Sequence, residues 1–222
     1  SEQTGKLNIA LPGTMVIGSV LDTRTINTGS AVFGQLSYEP VEHLKLIVGG
    51  RYTSEELDFD GRMQPAPQAF MGIPGRFVGP IGTRTTVDNT SGRATLQYSF
   101  TDDIMTYVSA ARGYKGPGVD TLGVVQSAVN VIRPEIPTSY EVGLRSQFLD
   151  RTVTVNLTGF ATDFDDYQAA IFDTSVSPAR FAIANAGKLR TRGVEADLQV
   201  NPVPSLSFNG TFAYVDSTYE DF

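Results

Sequence analysis

The chain has 222 residues, a formal net charge of −7, a single histidine (His43) and no cysteine. The lack of cysteine excludes disulfides and thiolate sites, and one histidine disfavours a histidine-rich metal site or a Ser-His-Asp triad. The acidic balance argues against a nucleic-acid partner, because phosphate contacts need clustered Lys and Arg. The 13 Phe and 9 Tyr residues, interrupted by 22 Gly and 12 Pro, favour an all-β chain.

No run of about 18 to 20 apolar residues is present, so no membrane-spanning helix is predicted. The opening residues Ser1 to Thr4 contain neither the basic nor the apolar region of a signal peptide. Such a beginning usually indicates a cytoplasmic protein, but a piece of a longer chain would also lack a signal.

Alternation of apolar and polar residues with a period of two predicts eight long strands. In chain order they are Ala31–Glu39, His43–Tyr52, Gly92–Phe100, Ile104–Tyr114, Ser139–Phe148, Thr152–Ala161, Gly193–Asn201 and Leu206–Tyr219. Ser139–Phe148 shows the pattern clearly, since Val142 and Leu144 alternate with Glu141 and Arg145. The two faces of the fourth strand are mixed, so its orientation stays open.

The predicted connections alternate strictly between short and long. The short turns are Glu39–Glu42, Thr101–Asp103, Leu149–Arg151 and Asn201–Ser205, and the long loops are about Asp60–Thr86, Lys115–Pro137 and Asp166–Arg180. Long strands with short turns at one rim and long loops at the other are typical of an outer-membrane β-barrel. Aromatic residues fit the two interfacial girdles of such a barrel: Tyr38, Tyr98, Phe100 and Phe148 beside the short turns, and Tyr52, Tyr114 and Tyr214 farther along.

Two other architectures remain as alternatives: a soluble β-sandwich that binds carbohydrate or protein, and a complete small barrel acting as a porin or adhesin. Sandwich turns recur every 8–12 residues, whereas these short turns recur about every 50. At that spacing the chain holds about four hairpins, far fewer than the about 22 strands of the large plugged transporters. Both ends of the predicted meander lie on the long-loop side, so we expect a piece of a longer barrel.

Several short motifs follow one another in a fixed order. They are Ala31–Gln35, Gly113–Gly118, Arg133–Glu135, Ser139–Ser146, Phe160–Gln168, Asn185–Gly187 and Arg192–Ala196. In order and spacing they resemble the barrel of TonB-dependent outer-membrane receptors, in which a GFK strand end is followed by PE, S-Y-E-x-G-x-K-S, F-x-x-D-Y-x-D-x-Q, N-A-G and G-V-E. Phe164 stands where the family usually has Tyr.

This resemblance implies an antiparallel up-and-down meander of about eight long strands, part of a large transmembrane β-barrel in the outer membrane of a Gram-negative bacterium. It covers residues 29–222 as a partial barrel without the plug domain, and leaves residues 1–28 as a loop or the end of a preceding strand. The implied function is active transport of a ferric siderophore or another small nutrient, with TonB acting through the plug. Neither an enzyme activity nor a cofactor is expected, and the ligand-binding residues stay unknown.

Two acidic clusters could hold Ca²⁺ through carboxylate oxygens. They are Glu55, Glu56, Asp58 and Asp60 in one cluster and Asp163, Asp165 and Asp166 in the other. Neither has the EF-hand register, so solvated strand ends are favoured and no metal site is predicted. A carboxylate pair for glycoside hydrolysis could come from Glu135, Glu141, Glu195 and Asp197. A hydrogen-bond network inside the barrel is favoured over catalysis, and no catalytic residue is predicted.

Seven basic residues could give the barrel a positive lining that attracts anionic ligands. They are Arg93, Arg112, Lys115, Arg133, Arg145, Arg190 and Arg192. We favour the alternative in which these basic residues pair with carboxylates of the lumen or with the plug.

We expect Leu96, Val142, Leu144, Val194, Leu198 and Phe212 to face lipid and Glu141, Arg145, Glu195 and Asp197 to face the lumen. The first and last strands should not pair with each other.

Overall fold

The structure is a computed structural model, and it describes residues 2–8, 19–65, 78–121, 129–174 and 180–221. Within these residues a nine-stranded antiparallel sheet dominates. Its strands, in order across the sheet, are β1 (Glu2–Asn8), β2 (Ser19–Val41), β3 (Leu44–Pro65), β4 (Val78–Thr101), β5 (Ile104–Arg112), β8 (Ile136–Phe148), β9 (Val153–Asp165), β12 (Lys188–Val203) and β13 (Leu206–Asp221). No helix long and apolar enough to cross a membrane occurs in the described ranges.

Four short strands form two further hairpins. They are β6 (Gly118–Asp120) with β7 (Asn130–Ile132), and β10 (Gln168–Asp173) with β11 (Arg180–Asn185). We call them the first and the second hairpin. They lie in the connections between β5 and β8 and between β9 and β12, at the end of the main sheet opposite the short turns.

The all-β meander predicted from the sequence is confirmed. Each strand of the main sheet pairs only with its neighbours in chain order within that sheet. Among the described residues β1 and β13 are the two edge strands, and they do not pair with each other. The four short turns all lie at one end. Several of their residues have a left-handed backbone, including His43 at φ 68° and Asp150 at φ 53°, and this conformation permits a tight reversal.

All eight predicted strands are present, but some boundaries differ. The first extends from Ser19 rather than Ala31, and a ninth strand, Glu2–Asn8, pairs with it. The division between residues 1–28 and 29–222 stays a prediction, although β2 crosses it without a break.

The long loops predicted between the strands contain further strands in the described residues, so their predicted bounds are wrong. The β3–β4 ladder continues to Met63 and Val78, inside the stretch Asp60–Thr86, and each of the other two stretches contains strands of a hairpin. In the extension of β3, Leu57, Phe59 and Met63 are buried on one side and charged residues alternate with them. The period-two signal therefore continues beyond Tyr52, where the predicted strand ended.

Cross-strand pairing separates the main sheet into two faces. One row across β8, β9, β12 and β13 consists of Leu144, Leu157, Ala196 and Phe212. All six residues expected to face lipid share this side, which we call the apolar face; among them Val142 is 53% exposed and Phe212 62%. The four residues expected to face the lumen lie on the opposite side, the polar face. The predicted division of the faces is thus confirmed.

The apolar face forms a band of limited height. On β8 it runs from Phe148 beside a short turn to Tyr140, which is eight residues or about 26 Å along the strand at about 3.3 Å per residue. Beyond it, Asp163 and Arg190 face the same side as an ion pair. This extent matches the lipid-facing band of about 25 Å in transmembrane β-barrels.

Two aromatic rings on the polar face lie across glycines of the adjacent strand. Tyr107 pairs with Gly143, where an added Cβ would lie 2.3 Å from the tyrosine ring. Phe160 pairs with Gly193, where an added Cβ would lie 2.6 Å from the phenyl ring. Tyr107 therefore settles the orientation of β5, whose faces looked mixed because an aromatic residue lies on its polar side.

A charge placed on the apolar face should destabilise the protein strongly. We expect Val142→Arg to lower the free energy of unfolding by about 2–4 kcal/mol in a bilayer, since the guanidinium would enter hydrocarbon. Denaturant titration of the full gene product in lipid vesicles measures this change. Gln147→Arg, on the polar face of the same strand, is the control and should change it little; equal losses would contradict the face assignment.

A methyl group at Gly143 should also be costly. Because the ring of Tyr107 fills that space, Gly143→Ala should lower the free energy of unfolding by about 1–3 kcal/mol through overpacking. Gly50→Ala is the matched control, since no atom lies within 4 Å of a Cβ there. In a double-mutant cycle Tyr107→Ala should relieve most of the strain at position 143; full additivity would be the contrary result.

Candidate functional site

A four-residue polar network lies at the centre of the polar face. The Tyr107 hydroxyl donates to the Glu141 carboxylate, and Arg145 Nη2 donates to the same hydroxyl oxygen at 3.1 Å. Arg145 Nη1 donates to Thr158 Oγ1, also at 3.1 Å, and the guanidinium carbon lies 5.4 Å from the centre of the Tyr107 ring. Arg145 thus reaches Glu141 through a tyrosine rather than by direct pairing, and β5, β8 and β9 are joined on this face.

Three further charges on the polar face stand alone. Arg93 is exposed and has no hydrogen bond or ion pair to any residue that the structure describes. Glu195 and Asp197 are likewise exposed and unbonded within the described ranges, so the hydrogen-bond network predicted for them is not formed there. They lie on β12, where Glu195 pairs with Thr158 and Asp197 with Asn156 of β9. These charges are available to whatever fills the space inside the wall.

The alternative of a positive lining has little support from the seven basic residues named for it. Among these seven, only Arg93 and Arg145 lie on the polar face of the main sheet. Arg112, Arg190 and Arg192 have the opposite parity and lie on the side of the apolar face, above its band. Arg190 pairs there with Asp163 and Glu220. Parity along a strand, which a list of basic residues does not consider, keeps Arg112, Arg190 and Arg192 off the polar face.

The two acidic clusters do not form cation sites. Successive strand residues point to opposite sides, so Glu55 lies on the polar side of β3 and its three neighbours on the other. In the second cluster Asp163, Asp165 and Asp166 pair separately with Arg190, Lys188 and Arg133. Within the described ranges, no three Asp, Glu or His residues are grouped closely enough to hold a metal ion.

Tyr114 does not belong to an aromatic girdle. It contacts Glu55 beyond the apolar band, on the side away from the short turns. Its hydroxyl donates to Glu55 Oε2 at 3.0 Å, and Asn27 donates to the other oxygen of that carboxylate at 2.5 Å. Burial, followed by the hydrogen bond to Glu55, raises the pKa of Tyr114 to about 12. The hydroxyl therefore stays protonated at neutral pH and remains a donor, which fastens the start of the β5–β8 connection to β3.

The second hairpin carries an exposed aromatic pair that the sequence reading missed. Phe172 and Phe181 face each other across β10 and β11 with ring centroids 5.1 Å apart, and they are 58% and 68% exposed. Ala182, on the opposite side of the hairpin, is 9% exposed. One side of the hairpin is therefore packed and the other is open. The only signal in the sequence was a short apolar run within a stretch assigned to a loop.

Comparison with known proteins identifies the family. Residues 3–222 match the family model described as TonB dependent receptor-like, beta-barrel. Among solved structures, the ferric yersiniabactin uptake receptor FyuA from Yersinia pestis is 21% identical with a TM-score of 0.71, over 91% of this chain and 29% of that receptor. The ferric-catecholate import receptor Fiu from E. coli K12 is 16% identical with a TM-score of 0.67, over 99% of this chain and 34% of that one. The copper transporter OprC is 14% identical with a TM-score of 0.64, over 92% and 30%.

These likenesses show the fold, and the chain spans about a third of the length of the receptors it resembles. The family match covers nearly the whole chain, which rules out the soluble sandwich. Proteins of this family are transporters of the Gram-negative outer membrane and not enzymes, as expected from the sequence. The apolar face is accordingly the lipid-facing side of the wall, the polar face lines its interior, and the chain belongs to the TonB-dependent receptor β-barrel family.

Proposed function

We propose that the full gene product is an active transporter that carries a ferric siderophore or a similar small nutrient across the outer membrane. The observation that carries this proposal is the family match over residues 3–222, on a wall that has lipid-facing and interior sides. FyuA is a ferric yersiniabactin uptake receptor and Fiu a ferric-catecholate import receptor, which supports the same class of cargo here.

The residues of this chain have two roles in that function. The network of Tyr107, Glu141, Arg145 and Thr158 holds the interior side of three neighbouring strands in one arrangement. Above it, the two hairpins and the exposed ring of Phe172 lie at the end of the sheet opposite the short turns. In the proposed orientation that end faces the outside of the cell, where a cargo would arrive first.

The partners follow from the same proposal. The unbonded charges Arg93, Glu195 and Asp197 suit polar partners inside the barrel, such as a plug domain of the same polypeptide. Coupling to the TonB complex would act through that plug, because the described strands offer no route from the periplasm through the wall itself.

Energy dependence provides the test. A strain lacking the gene should lose uptake of radioactive iron supplied as its siderophore chelates under iron limitation, and the intact gene should restore uptake. A protonophore should abolish uptake while leaving binding at the cell surface intact, since transport through a TonB-coupled receptor needs the inner-membrane proton gradient. Uptake that persists without the gradient would indicate a passive porin and contradict the proposal. Unchanged iron uptake in the deletion strain would contradict the assigned cargo.

A further inference from the structure

The two hairpins at the open end of the wall belong to separate sheets. The first hairpin consists of β6 and β7, and the second consists of β10 and β11; among the residues that the structure describes, no backbone ladder joins one to the other. They come from different connections, yet residues that flank the first hairpin lie within hydrogen-bond distance of residues of the second. Side chains must therefore hold them together.

Glu135, just after the first hairpin, makes the buried bonds of this contact. The residue is 6% exposed, and its backbone N–H and C=O bond with those of Lys115 at 3.1 and 3.0 Å. Its Oε2 accepts the backbone N–H of Gln168 at 2.8 Å and lies 3.4 Å from Lys115 Nζ. One carboxylate oxygen thus binds both the strand base of the first hairpin and the first residue of the second.

Amide side chains surround this carboxylate and complete the junction. Gln168 Nε2 donates to the carbonyls of Gly116 and Arg133 at 2.9 and 3.0 Å. Asn185 Nδ2 donates to the carbonyls of Arg133 and Asp166, and its Oδ1 accepts the Arg133 N–H at 2.8 Å. The Arg133–Asp166 ion pair is exposed and adds little, whereas a charged acceptor that is shielded from water holds its donors firmly.

The junction is attached to the wall at both ends. On one side Gly116 lies against Glu55 of β3, where a Cβ would come within 2.6 Å of the carboxylate. On the other side the ring of Tyr167 packs against Tyr219 of β13, with centroids 6.1 Å apart. The contact between the hairpins therefore extends from the third strand to the last strand of the described wall.

We propose that Glu135 is a positioning residue that locks the two hairpins into one body. The hairpins then move together over the interior, and a shift of one carries the other with it. The proposal concerns the motion of this surface and stands whether or not the cargo is an iron chelate.

Spin labels measure this coupling directly. These 222 residues contain no cysteine, so once any cysteine elsewhere in the full gene product is replaced, Val131→Cys on the first hairpin and Ala170→Cys on the second give one defined label pair at exposed positions. In the full gene product, double electron–electron resonance should show one narrow distance distribution, and Glu135→Ala should broaden it. Glu135→Gln keeps an acceptor for the Gln168 N–H but loses the charge near Lys115, so its distribution should be intermediate. Glu42→Ala, in a short turn with its side chain 89% exposed, is the matched control and should leave the distribution unchanged.

Two outcomes would overturn the proposal. One is a broad distribution in the unaltered protein, and the other is an unchanged narrow distribution in a Glu135→Ala protein that retains its heat-modifiable barrel. If that variant does not assemble, hydrogen exchange on the unaltered protein decides. The amides of 130–132 and 168–173 should then open with one shared rate, and unrelated rates would refute the coupling. In an assembled Glu135→Ala protein the Gln168 amide should exchange roughly 10- to 100-fold faster.

Discussion

The structure depends on one constraint: each long strand has to bond its backbone on both edges while its two sides meet opposite surroundings. In hydrocarbon no water is available for an unpaired N–H or C=O, so only a continuous ladder can cross. The ladder imposes a period of two on the side chains, and the surroundings decide which residues fill the two positions. The band from Phe148 to Tyr140 and the network around Arg145 are two results of the same alternation.

Packing on the two sides follows different rules. On the lipid-facing side, Val142, Val194 and Phe212 need only be apolar, because lipid adapts to their shape. On the interior side the side chains have to fit one another. Tyr107 fills the space above Gly143 and also bridges Glu141 and Arg145, so one residue joins steric fit with charge compensation. This explains why Tyr107 and Gly143 occur together on the face that carries Glu141 and Arg145.

Much of the wall could be predicted from sequence, since alternation is a local signal. The eight strands and the side on which Val142 and Glu141 lie needed only neighbouring residues. The extension of β3 was missed although its alternation continues, since Leu57, Phe59 and Met63 are buried on one side with charged residues between them. The partners of Arg145 and Glu135 were out of reach. Tyr107 is 38 residues from Arg145 in sequence and Gln168 is 33 residues from Glu135, so only the fold shows that they meet.

At the hairpin junction, two of the motifs that carry the family resemblance contact each other. In the sequence, Arg133–Glu135 and Asn185–Gly187 are two separate motifs of the family resemblance, and nothing there predicts a contact between them. In the structure they meet: the Arg133 carbonyl accepts from Asn185, and Glu135 binds the start of the second hairpin. The two motifs thus belong to one three-dimensional contact at the end of the main sheet opposite the short turns.

The most direct test of the two-sided wall is an accessibility scan along β8. Nitroxide labels placed singly at residues 139–147 of the full gene product, in lipid vesicles, report collisions with dissolved oxygen and with a water-soluble nickel chelate. Oxygen should reach the even-numbered positions, including 142 and 144, and the nickel chelate should be favoured at the odd-numbered ones, including 141. A pattern without a period of two, or one with the two reagents exchanged, would contradict the assignment of lipid and interior faces.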